Sequence, residues 1–168
     1  MSVKPVGTPC IGVCSTTFGD LVCRGCKRFL HEIVDWNRYD EAEKRLVWQR
    51  LDSLLALVVS HYFRIDDSDR LDAAMAAQNL RRQPQLSAAA RLPELLRAAG
   101  PRLLDWHAFG ISPTAQAVGL DARTLYDRIS RDCHTLAEAH YQLAFTNHDD
   151  RLAGSEGAVS ASTLSTTS

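Results

Sequence analysis

Cys10-Ile11-Gly12-Val13-Cys14, then eight residues, then Cys23-Arg24-Gly25-Cys26: this stretch holds four of the chain's five cysteines. The two close pairs, C-x3-C and C-x2-C, have the spacing of a tetrathiolate site. Each pair wraps one side of an ion while the connection folds back to bring in the other. Cys10, Cys14, Cys23 and Cys26 are therefore the predicted metal ligands, and everything after them reads as helical support.

Two other readings of the cysteines are weaker. Paired disulfides suit a secreted protein, but Met1 to Thr8 carries one lysine and no apolar core of signal-peptide length. That predicts a cytoplasmic protein, where disulfides rarely persist. Four unconnected buried thiols would not explain a glycine inside each pair, Gly12 and Gly25. The spacing differs from the tight ferredoxin runs and favours closed, four-coordinate zinc. Soft thiolates also hold iron-sulfur clusters, and Arg24, Lys27 and Arg28 would offset the negative charge of either centre. Zinc and an iron-sulfur cluster both stay open.

The 168 residues, 45% hydrophobic and 23% charged, suit a soluble globular chain of one domain or two small ones. A formal charge of -1 gives no global pull towards nucleic acid or anionic lipid, so any such contact must be local. The most apolar window, Leu54 to Val59, is far short of the roughly 20 residues of a membrane span.

Between the cysteine pairs, Phe18, Leu21 and Val22 can cover one side of the site, and Gly19-Asp20 signals a turn in a small hairpin or knuckle. So small a module cannot bury a core alone. Structural zinc supplies about 10 to 16 kcal/mol in small peptides, so metal would provide much of the local folding energy. From Lys27 the pattern turns helical, with Phe29, Leu30, Ile33, Val34 and Trp36 on one face. Asp40 and Glu43 have capping-box spacing and open a long helix to about Phe63, with a stripe of Leu46, Val47, Leu51, Leu54, Leu55, Val58 and Tyr62. Trp36 and Trp48 read as core residues that join the two helices, and His31 as a surface or supporting residue.

Pro9-Cys10, Cys14, Cys23-Arg24-Gly25-Cys26, Arg28, Glu32-Ile33, Trp36, Glu43-Lys44-Arg45, Trp48 and Leu51 resemble a small bacterial family catalogued as a domain of unknown function. Its members are commonly labelled predicted iron-sulfur proteins. The resemblance covers roughly residues 9 to 52 and implies a bound cluster. The sequence departs from the pattern at Leu21, where a glycine often stands.

Beyond Ile65 to Asp69 the sequence predicts a helix capped by Asp69 over 70–82 and a linker over 83–90. Short helices over 93–99 and 102–109 follow. Arg70, Arg81, Arg82, Arg91, Arg97 and Arg102 make this segment locally basic. Ser112 is read as a cap, Pro113 as a helix start, Gly119 as a turn, and Asp121 as the cap of a longer helix through Phe145. Ala115, Val118, Gly119, Leu120, Thr124, Leu125, Tyr126 and Ile129 resemble a bacterial helix-turn-helix. That resemblance implies duplex DNA as a partner for residues 112–131, with Arg123, Thr124, Asp127 and Arg128 facing the groove and Tyr126 at a phosphate. The other reading is a helical pair that only packs, since Asp121, Asp127 and Asp132 dilute the positive charge. Cys133 reads as a small buried apolar residue without a cysteine partner, and His134 and His140 as helix surface.

The expected architecture is mainly α: a four-cysteine metal-binding module with helical support over 1–65, a multi-helix domain over 66–146 with a helix-turn-helix-like pair, and a disordered tail over 147–168. No nucleophile-base pair, paired carboxylates or phosphate loop stands out, so a non-enzymatic metal-binding accessory or regulatory protein is expected, with no membrane and no identified small-molecule substrate. An iron-sulfur electron carrier or redox sensor and a metal-stabilised protein-binding module are the alternatives.

Overall fold

The computed structural model describes residues 5–80, 83–102 and 104–153, with side chains as far as Phe145. The fold is mainly helical, as the sequence predicts. Among the described residues five α-helices run in chain order: α1 Leu30–Val34, α2 Glu41–Tyr62, α3 Ser68–Ala77, α4 Ala88–Ala99 and α5 Ala122–Ala153. Two strands, β1 Phe63–Ile65 and β2 Ile111–Pro113, pair antiparallel with Arg64 opposite Ser112.

α2 is the axis, and its start is the one the sequence marks. Asp40 Oδ1 accepts from the backbone N–H of Ala42 and Glu43 at 2.7 and 2.8 Å, while Glu43 returns an acceptor to Asp40 N at 2.7 Å. These bonds satisfy donors a helix otherwise leaves open. Of the expected stripe, Val47, Leu51, Leu54, Val58 and Tyr62 are buried, but Leu46 is 65% exposed. Leu46 stands one residue before Val47, about 100° around the helix, and so faces away.

α2, α4 and α5 enclose one continuous core that runs from Val22 and Phe29 through Leu54, Leu92 and Leu96 to Leu125, Ile129 and Ala137. It draws on residues from both sides of position 65. A smaller cluster of Trp36, Val47, Trp48 and Leu51 sits at the N-terminal end of α2. Both tryptophans are buried there, and Trp48 Nε1 donates to the Gly7 carbonyl at 2.9 Å, which ties down the N-terminal lead. Tyr62 donates its hydroxyl to Asp132 Oδ2 at 2.6 Å, a direct link from α2 to α5.

Several sequence expectations are corrected. α1 begins at Leu30 rather than Lys27, because Lys27 is left-handed (φ 62°) and Phe29 is held in an antiparallel bridge with Val22. Asp67, not Asp69, caps α3 by accepting from Arg70 N at 2.9 Å. α4 starts five residues before Pro93, capped by Ser87, and carries the proline inside it. Pro93 falls in the second turn, where loss of one N–H costs a single bond to the Ala89 carbonyl. Of the helix expected over 102–109 only a 3-10 turn, Trp106–Phe109, is present among the described residues. Arg81 and Arg82 lie outside the described residues.

The helix-turn-helix expected at 112–129 has only its second helix. Ile111–Pro113 is drawn into the strand pair, and Thr114 is fixed to the end of α2 by Thr114 N to Tyr62 O at 2.9 Å and Oγ1 to His61 O at 2.7 Å. A single turn follows, which buries Ala117 and leaves Ala115 and Val118 exposed. Gly110 allows this arrangement: it is left-handed (φ 70°), and a Cβ there would strike the Asp67 backbone. Asp121 does cap α5, accepting from Thr124 N at 2.7 Å. α5 continues to Ala153, seven residues into the segment expected to be a tail, since no glycine or proline interrupts it before Gly154. The expected disorder of the remainder, 154–168, lies outside the described residues.

Candidate metal centre

The second cysteine pair sits in a tight knuckle. Cys23 N donates to Arg28 O and Lys27 N to Cys23 O, each at 2.9 Å, and Leu30 N donates to Leu21 O at 2.9 Å. Lys27 takes the left-handed conformation that closes this turn, at about 1–2 kcal/mol for a residue with a side chain. Its ammonium offsets that cost by donating to the carbonyls of Arg24 and Gly25 and to Ser130 Oγ on α5 at 3.0 Å. Lys27 is thereby 5% exposed, and burial lowers its pKa against the opposing pull of the Cys133, Cys23 and Cys26 thiols.

The sulfurs sit among donors. Burial raises the pKa of Cys23, but the backbone N–H groups of Cys26, Ser15 and Gly25 outweigh it and hold the thiol below its ordinary value. Burial pushes the Cys26 thiol up, opposed by Arg28, whose Nε donates to Cys26 Sγ at 3.3 Å. In the first pair, Gly12 N donates to Cys10 Sγ at 3.4 Å, and Cys14 Sγ lies 3.0 Å from Thr16 Oγ1. Backbone and guanidinium donors around sulfur favour the thiolate, the form that binds metal. The donor chemistry thus fits a thiophilic ion or cluster.

The two pairs are layered through Gly25. The carbonyl of Val13 crosses directly over it, where a Cβ would be, and the Cys23 thiol donates to the same carbonyl at 3.4 Å. Arg24 N to Ser15 Oγ at 2.8 Å fastens the 3-10 turn Ser15–Phe18 to the knuckle. Cys23 and Cys26 share the knuckle, Cys14 is half-buried, and Cys10 is exposed at the edge of an open cleft beside Trp48 and Asp52. Among the described residues, no three His, Cys, Asp or Glu side chains are gathered as a metal ion would hold them.

The expected apolar cover is different from its prediction. Val22 is buried, but Phe18 is 90% and Leu21 51% exposed. What lies behind the knuckle is a polar network that sequence reading passed over. Glu32 is buried and accepts from Phe29 N at 2.8 Å and from Arg50 Nε and Nη2 at 3.1 and 2.5 Å. The Arg50 guanidinium lies 3.9 Å from the Phe29 ring centroid and also donates to Lys27 O at 3.3 Å. Arg28 stacks over Trp36 at 5.0 Å. Capping-box logic could have found Glu32, which stands three residues after the cap Phe29; its partner Arg50 lies eighteen residues away and leaves no local signal.

α5 flanks the other side. His134 is partly buried rather than surface: Nε2 lies 3.1 Å from the Val22 carbonyl and Nδ1 3.3 Å from Glu138. His31 is exposed and packs edge-on against Phe145 at 5.1 Å. Cys133 is fully buried, as expected, and shares a cavity wall with Cys26; burial pushes its thiol up to about 12. Of the residues assigned to DNA, Arg123 pairs with Asp127 at 3.3 Å and Arg128 is exposed, while Thr124 is half-buried and Tyr126 packs against the main core.

Residues 8–54, under a third of the chain, match the model of a family described as "Protein of unknown function (DUF1289)". No curated protein and no solved structure matches the chain. Among the described residues, no helix is long and apolar enough to cross a membrane.

Proposed function

We propose that this chain is a metal-binding accessory or regulatory protein in which Cys10, Cys14, Cys23 and Cys26 hold one zinc ion. The observation that carries this reading is the knuckle: two thiols three residues apart, a left-handed residue directly after the second, and N–H donors directed at Cys23. That is the local geometry a structural thiolate site needs, and packing alone gives no reason for it. Cys23 and Cys26 form the fixed half of the site, seated on α1, α2 and α5. The segment 10–14, with an exposed Cys10, is the half that closes onto it. Zinc supplies crosslinking between the two halves, and Arg28 and Lys27 offset part of the negative charge of the thiolates.

The experiment is metal and acid-labile sulfide content, with a visible spectrum, on protein purified without oxygen. One zinc per chain, lost when Cys23 and Cys26 are replaced by serine, supports the reading. Iron with matching sulfide and colour replaces it with an iron-sulfur redox element at the same thiolates. Metal content unchanged in the double variant overturns both.

A further inference from the structure

A cavity of about 120 Å³ lies between the cysteine knuckle, α2, α4 and α5. Its inner wall is apolar, built from Leu51, Leu55 and Ile129. An apolar cavity of about 150 Å³ accommodates benzene, so this one takes a branched aliphatic group of four or five carbons. Four charged side chains border it, and two of them are engaged. The Lys27 ammonium is taken up by two carbonyls and Ser130, and Arg91 pairs with Asp72 on α3. The other two, Glu94 and Arg97, stand three residues apart on α4. Neither makes a hydrogen bond or ion pair among the described residues. Glu94 is half-buried and Arg97 exposed, so this pair marks the solvent side of the cavity.

One carboxylate and one guanidinium, unengaged among the described residues and beside an apolar cavity, complement a ligand with an ammonium, a carboxylate and a short branched body. We propose that this cavity binds a small aliphatic α-amino acid. Arg97 holds the carboxylate in the forked geometry guanidinium favours, Glu94 the ammonium, and the side chain fills the space against Leu51, Leu55 and Ile129. Cys26 and Gly25 form part of the same wall, so the occupied cavity and the cysteine knuckle share residues. The site itself requires no metal, and its failure would leave the thiolate reading untouched.

The test uses three probes with one body: leucine, 4-methylpentanoate, which lacks the ammonium, and isoamylamine, which lacks the carboxylate. Binding to the full chain is read by the fluorescence of Trp48, which borders the cavity, and by titration calorimetry. The expected result is saturable leucine binding with half-saturation below about 1 mM. Both truncated probes should bind about tenfold or more weakly, the scale of one lost charge-assisted hydrogen bond. Arg97→Gln and Glu94→Gln should each weaken leucine by a similar factor. Neither side chain has a partner to lose among the described residues, so the helical circular dichroism should stay unchanged. Absence of saturable leucine binding overturns the proposal. So does either truncated probe binding as well as leucine, or leucine binding unaltered in both variants.

Discussion

The backbone carbonyl of Val13 occupies the space a side chain at Gly25 would need. This crossing sets one cysteine segment on the other, and Gly25 is required there for close approach rather than for an unusual backbone angle. Gly25→Ala should displace the Val13 segment at a cost of about 1–3 kcal/mol, the range for overpacking a tight contact. Zinc affinity, measured by competition with a chromophoric chelator, should fall although no ligand has been changed. Unchanged affinity would mean that the two pairs do not act together.

Arg50 neutralises the buried carboxylate of Glu32, whose side chain is only 7% exposed. Arg50→Ala leaves that charge unpaired and also removes the guanidinium from the Phe29 face. Removal of one partner from a buried pair costs about 3–5 kcal/mol, and Arg50's partial exposure places this case at the lower end. Urea unfolding should show the loss, with a smaller one for Glu32→Gln, which keeps the shape and drops the charge.

The Tyr62 hydroxyl has its pKa pushed up to about 12 by burial and by its hydrogen bond to Asp132. A folded pKa above the unfolded value of about 10 means a contribution fully present below pH 10 and lost as the pH rises through 12. Tyr62→Phe should therefore lower stability by about 0.5–1.5 kcal/mol at neutral pH, as one hydrogen bond is removed. The variant and the parent should converge in melting temperature across pH 10 to 12. A constant difference over that window would rule out this linkage.

Chelation should act locally. Val22 and Phe29 belong to the main core, but no residue of segment 10–18 does, and none of them is buried. Hydrogen exchange after zinc removal should rise first in residues 10–28, while the amides of α2, α4 and α5 keep their protection. Simultaneous loss across all of these would make the metal part of the global fold.

The parts legible in the sequence were those written in local spacing: the Asp40–Glu43 box, the Asp121 cap and the core stripe from Val47 to Tyr62. What stayed hidden depended on partners distant in the chain. Ile111–Pro113 becomes a strand only because Phe63–Ile65 supplies its other half, and that pairing removes the first helix of the expected helix-turn-helix. His134 and Cys133 look like ordinary helix residues until α5 is laid against the knuckle. Nothing local in the sequence shows that Arg50 comes back to meet Glu32.

α5 touches the cysteine segment along several turns: Ser130 meets Lys27, His134 meets Val22, and Tyr141 and Phe145 enclose the Phe29 ring. Residues 8–54 are therefore one side of an interface whose other side is contributed much later in the chain. Cut out alone, that segment would expose Phe29 and Val22 to water and lose Ser130, one of the three acceptors of the Lys27 ammonium. It behaves as a graft that needs a host, and a protein consisting of little else would have to borrow a helix from a second molecule.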